Sequence, residues 1–72
     1  METEKSVMIY DGDKLVMELV VIIRKSLPSL FSIKHNGVRG GYVLRIIPCD
    51  TFKAIIKWAE DKGYDVFDYT EF

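Results

Sequence analysis

The sequence predicts an α+β domain: a two-layer sandwich with element order βαββαβ, in which two helices cover one face of a four-stranded sheet. The chain has 72 residues, of which 49% are hydrophobic and 29% charged. Apolar residues recur at helical spacing in two segments, and β-prone segments bounded by turn residues flank them. This length suits one hydrophobic core, so we expect residues 1–72 to form a single domain, with residues 1–5 disordered.

The first half of the chain predicts one strand followed by one helix. Residues 6–10 are typical of a short strand, which ends at the turn Asp11-Gly12-Asp13, and Asp13 is suited to cap a helix. Residues 14–27 place six apolar side chains on one helical stripe: Leu15, Val16, Leu19, Val20, Ile23 and Leu27. The β-branched run at 20–23 favours a strand, but the length of the pattern favours a helix that Pro28 ends. Met17 and Val21 lie beside the stripe and are expected to be half exposed.

The second half predicts a hairpin, a helix and a last strand. Residues 30–34 and 42–48 are the hairpin strands, joined through Asn36-Gly37, a strong hairpin signal. Residues 52–62 form the helix, capped by Asp50 or Thr51 and ended by Gly63. Its buried stripe comprises Phe52, Ile55, Ile56 and Ala59. A strand over residues 64–69 completes the order of ferredoxin-like domains.

Composition narrows the classes of protein that remain. Cys49 is the single cysteine and His35 the single histidine, which excludes an internal disulfide and a zinc cluster and suits a reducing compartment. The N-terminus has no signal-peptide pattern and no apolar run is long enough to span a membrane. We therefore expect a cytoplasmic protein with no membrane partner. Net charge is −1, yet residues 19–49 hold five bases and no acid.

Three segments of the second half resemble the TusA/SirA-like sulfur-carrier family. They are residues 42–50, Tyr-Val-Leu-Arg-Ile-Ile-Pro-Cys-Asp; residues 55–59, Ile-Ile-Lys-Trp-Ala; and residues 62–66, Lys-Gly-Tyr-Asp-Val. The resemblance implies a SirA-like form of the sandwich. The family carries sulfur on the cysteine of a Cys-Pro-x-Pro motif, but the matching positions here read Leu15-Val16-Met17-Glu18. The family's chemistry therefore cannot be carried over to Leu15.

Few residues have side chains suited to catalysis or metal binding. Cys49 precedes the second predicted helix, whose N-terminus would stabilise a thiolate, so a sulfur relay through Cys49 is one hypothesis. The alternative is a small buried side chain beside Asp50. His35 lies in a turn without an identifiable nucleophile, and the aspartates near Gly12 are typical of a turn. We expect no enzyme activity, no catalytic residue, no metal and no cofactor.

Two predicted surfaces support stronger hypotheses about function. With both helices on one side, the other sheet face is left uncovered, and the apolar residues expected there are Met8, Tyr10, Val43, Ile47, Phe67 and Tyr69. They predict contact with a protein partner or a second copy. The basic hairpin could instead contact phosphates of nucleic acid through Lys34, His35, Arg39 and Arg45. The leading hypothesis is a non-enzymatic SirA-like adaptor domain that binds through its open sheet face; the alternatives are a sulfur carrier that uses Cys49 and a weak nucleic-acid binder.

Overall fold

The computed structural model describes residues 2–70 and shows a five-stranded antiparallel sheet with one helix. In chain order the elements are β1 (Glu2–Asp11), β2 (Lys14–Arg24), β3 (Leu30–Asn36), β4 (Tyr42–Ile47), α1 (Cys49–Asp61) and β5 (Asp65–Asp68). The strand order across the sheet is β4-β3-β2-β1-β5. The first four strands form a meander, and α1 then connects one edge strand to the other.

The predicted βαββαβ sandwich, ferredoxin-like or SirA-like with two helices on a four-stranded sheet, is wrong, because the segment expected to be the first helix is strand β2. Asp13 is therefore part of the β1–β2 hairpin turn rather than a helix cap, and Gly12 supplies the positive φ of 61° that this turn needs. The β-branched run at 20–23 fits a pleated strand better than a helix. It pairs with β1 on one side and β3 on the other, and the chain turns after Arg24, where Ser26 has a φ of 65°.

The other predicted elements are present. The hairpin is β3 and β4, the predicted helix is α1, and the last strand is β5. Strand β1 begins at Glu2, so it contains residues 2–5, for which disorder was expected. At the end of α1, the Gly63 N–H donates to the Glu60 C=O and the Tyr64 N–H to the Ala59 C=O, each at 3.0 Å. These two bonds end the helix in a Schellman motif, with Gly63 at a φ of 82°.

The core lies between α1 and one face of the sheet. Its buried residues are Val7, Ile9, Leu19, Val21, Phe52 and Ala59. The rings of Phe31 and Phe52 meet edge to face, with centroids 4.9 Å apart, and join β3 to the start of the helix. Val21 and Met17, expected to be half exposed, belong to this core or pack against it. Within residues 2–70, the structure has no helix that is both long and apolar enough to cross a membrane.

Candidate functional site

No helix formed by residues 2–70 lies on the sheet face opposite α1, and we refer to this face as the open face. Residues directly opposite one another on neighbouring strands share a face, so the register across the sheet identifies its members. One row runs from β5 to β4: Phe67, Met8, Glu18, Lys34 and Leu44. The next row contains Ser6, Val20, Ser32 and Ile46. The open face is thus apolar at both ends and polar at its centre.

The polar centre is a connected set of side chains that we call the polar belt: Ser6, Glu18, Lys34 and Tyr42. The Ser6 hydroxyl donates to Glu18 Oε2 at 3.1 Å, and Lys34 Nζ lies 3.6 Å from the same oxygen. Lys34 Nζ also lies over the Tyr42 ring, 4.2 Å from its centroid, a cation–π contact. Four strands contribute to the belt, and it separates two apolar regions.

The first region, the aromatic patch, consists of Met8 and Tyr10 on β1, Phe67 on β5, and Tyr69, which follows β5. These side chains line a shallow depression of about 370 Å³, to which Gly12 and Asp13 also contribute. The rings of Tyr10 and Phe67 pack edge to face with centroids 5.7 Å apart, yet Phe67 is 46% exposed and Tyr69 59%. Asp65 lies opposite Tyr10 on β5. An aromatic surface therefore faces solvent with carboxylates beside it.

The second region, the edge patch, lies toward β4 and consists of Ile22, Leu30, Leu44 and Ile46. Ile46 is 53% exposed, whereas the other three are half-buried. Beneath this patch Ser32 is fully buried, and its hydroxyl donates to the Val20 carbonyl at 2.8 Å. The neighbouring side chains thus cover Ser32 although no other element of the described part of the chain packs on this face.

The six residues expected on the open face divide between the two faces of the sheet. Met8, Tyr10, Phe67 and Tyr69 form the aromatic patch. Ile47 lies opposite Phe31 and packs against the core beneath α1. Val43 shares that strand face and is exposed. Ile47 and Val43 do not belong to the open face, because both point to the side of the sheet that α1 covers.

The basic residues of the hairpin do not form one surface. Lys34 lies on the open face and is engaged by Glu18. Arg45 is opposite Ile33, a residue that packs against the core, so it projects from the other face. His35 is exposed on β3, and Arg39 lies in the turn between the strands. A phosphate backbone that follows one face of the sheet would meet only some of them.

The groups considered for catalysis or metal binding remain separate. Cys49 is the first residue of α1 and is half-buried. Within the described part of the chain no three His, Cys, Asp or Glu side chains are grouped as metal ligands would be. His35 is on the hairpin and Cys49 at the helix start, so they belong to different parts of the fold.

Two features of the open face were missed by the sequence reasoning. Glu18 and Lys34 were assigned to different elements, so their pairing was not foreseen. Leu44 and Ile46 alternate with Val43, Arg45 and Ile47, and both sets are apolar enough to be the inner one. The signal for the ion pair appears only when residues 18–24 are read as a strand, which places Glu18 on the same face as Val20 and Ile22.

Comparison with known proteins gave no further guide. No protein-family model matches the chain, and no match was found among proteins of curated function or among solved structures. The positions that correspond to the sulfur carriers' motif, beginning at Leu15, lie in strand β2 rather than at the start of a helix.

Proposed function

We propose that this chain is a non-enzymatic protein-binding domain whose aromatic patch binds a basic segment of a partner protein. The observation that carries the proposal is the exposure of Phe67 and Tyr69 in a depression that Asp13 helps to line. Aromatic side chains are enriched at the centres of protein interfaces, where they bury a large area at a small entropic cost.

Charge around the aromatic patch favours a cationic occupant. Asp13 lines the depression and Asp65 lies beside Tyr10, while Lys34, on the same sheet face, is engaged within the polar belt. An arginine or lysine of a partner would stack on an exposed ring and also face a carboxylate. Nucleic-acid phosphates would be repelled by the same carboxylates, which disfavours stacking of bases here.

The test is selection of peptides from a random heptapeptide display library on the immobilised protein, followed by titration of the selected peptides. We expect sequences that combine Arg or Lys with apolar residues, and binding that weakens as salt rises. Phe67→Ala should weaken binding at least tenfold, as loss of a central aromatic anchor does, and Asp65→Asn should reduce the salt dependence.

Trp58→Ala is the matched control, because Trp58 is an aromatic residue of similar exposure, 41%, on the helix. It should leave peptide affinity unchanged. The proposal fails if selection yields no basic sequences, or if Phe67→Ala and Trp58→Ala have equal effects. Salt-dependent binding of a single-stranded RNA oligonucleotide that Phe67→Ala abolishes would also overturn it, in favour of nucleic acid.

A further inference from the structure

The free edge of β4 differs from the other edge of the sheet. Strand β5 has four residues with Asp65 and Asp68 at its ends, and short, charged edges resist pairing with another chain. Strand β4, Tyr42-Val-Leu-Arg-Ile-Ile47, has six residues, no proline and one charge. It is the outermost strand of the sheet formed by the described residues. Its outer edge therefore lacks the features that protect β5.

The hydrogen-bond pattern shows which backbone groups of β4 are available. The Gly37 N–H donates to the Gly41 C=O at 2.8 Å, the bond that flanks a non-hydrogen-bonded pair between Asn36 and Tyr42. Such pairs alternate along an antiparallel ladder, so Leu44 and Ile46 are of the same kind as Tyr42. The N–H and C=O groups of these three residues point away from β3, toward the free edge.

We propose that a second copy of this chain pairs with the free edge of β4, antiparallel, with Leu44 on the two-fold axis. In this register Leu44 lies opposite Leu44 of the second copy, and Tyr42 lies opposite Ile46. Each of these pairs exchanges two backbone hydrogen bonds, because all the outward-pointing groups meet one another. The two sheets become one continuous sheet, with both helices on the same side. This pairing uses a different part of the molecule from the aromatic patch and does not depend on it.

Side chains select this register over its neighbours. A two-fold axis through Arg45 would place two guanidinium groups opposite each other, with Cα atoms about 4.5 Å apart, and would set Tyr42 against Pro48, which has no N–H. An axis through Val43 would set Ile46 against Gly40, outside the strand. With Leu44 on the axis, Arg45 faces Val43 of the second copy. Its aliphatic stem then covers a valine that is 57% exposed in one chain.

The same arrangement covers apolar surface on the open face. Ile46 and Tyr42 are each about half exposed in the single chain, at 53% and 52%. Opposite residues of an antiparallel pair have Cβ atoms about 5 Å apart, so each Ile46 packs on the Tyr42 ring of the other copy. The two edge patches become one patch across the axis. Burial of this apolar surface and the new backbone hydrogen bonds therefore both stabilise the pairing of the two β4 strands.

The test uses engineered cysteines in a Cys49→Ser background. Leu44→Cys places two Cα atoms about 5.5 Å apart across the axis, within disulfide reach. Ile46→Cys, on the same strand face, places them about 14 Å apart, beyond it. Under mild oxidation we expect at least tenfold more covalent dimer from Leu44→Cys than from Ile46→Cys. Equal cross-linking of the two variants, or none in either, would overturn the pairing.

A second variant measures the non-covalent dimer. Leu44→Pro removes an N–H that points to the free edge and takes no part in the ladder with β3, so edge-strand proline is tolerated. Sedimentation equilibrium of the unmodified protein should give twice 8.3 kDa. Leu44→Pro should raise the dissociation constant at least tenfold. A wild-type protein that stays at 8.3 kDa at millimolar concentration would overturn the proposal. Peptide binding through Phe67 should persist in the Leu44→Pro monomer, so the two proposals fail separately.

Discussion

The hydroxyl of Ser32 forms a hydrogen bond with a backbone carbonyl among apolar side chains. Ser32 is fully buried and donates to the Val20 carbonyl at 2.8 Å, while its neighbours in the sheet are Val20 and Ile46. A serine at this position leaves room for the larger side chains on either side to meet above it. The residue thus contributes packing space as well as a hydrogen bond, which explains a small polar side chain between apolar ones.

Replacing that hydroxyl should cost a measurable amount of stability. We expect Ser32→Ala to lower the free energy of unfolding by about 1 kcal/mol, the usual net value of one buried hydrogen bond. Urea denaturation followed by circular dichroism would measure it. Ser29→Ala, in the β2–β3 connection, is the control and should change stability by less than about 0.5 kcal/mol. Equal effects at the two positions would show that the Ser32 bond contributes nothing.

At the scale of elements, the glycine that ends α1 allows the effect of backbone conformation on stability to be measured by itself. Gly63 has a φ of 82°, and a Cβ there would meet no atom within 4 Å. Gly63→Ala should therefore lower stability by about 1 kcal/mol through the left-handed backbone alone. Gly41→Ala is the matched control, because its Cβ also meets nothing and its φ is not positive. The control should be neutral or slightly stabilising in thermal unfolding; a cost as large as that at Gly63 would contradict this account.

Strand β2 shows why some elements were predictable and this one was not. The hairpin has a glycine-rich turn, in which Gly40 has a φ of 83°, and the helix is ended by Gly63; tertiary contacts do not override these local signals. Residues 14–24 carry apolar side chains on both faces, since β2 lies at the centre of the sheet. One face of β2 contributes to the core, and neighbouring side chains of the open face cover the other. Apolar residues then follow one another with little alternation, and the same residues also fall on a helical stripe.

Across the whole molecule, the faces of the sheet followed from the sequence only in part. Met8, Tyr10 and Phe67 were assigned to the open face, where the structure has them. Ile47 could not be assigned in this way, since both faces of β4 are apolar and only the position of α1 distinguishes them. The polar belt was invisible for a similar reason: it joins four strands, and one of them was expected to be a helix.

The polar belt also separates two apolar surfaces that would otherwise be continuous. Its ion pair is partly exposed, with Glu18 and Lys34 side chains 16% and 33% accessible, and such pairs contribute about 0–1 kcal/mol. Valine at both positions would suit the strands, so unfolding stability should change little. The aromatic and edge patches would, however, merge into one large apolar surface of the kind that drives association.

We therefore expect the double variant Glu18→Val/Lys34→Val to fold normally but to associate into species of no fixed size as concentration rises. Light scattering over a concentration series, with thermal unfolding alongside, would show this. The charge exchange Glu18→Lys/Lys34→Glu keeps the belt polar and should behave like the unmodified protein. If the valine variant has the same concentration dependence as the exchanged one, the belt does not limit association, and the size of the patches alone does. The ion pair would then have only its small contribution to stability.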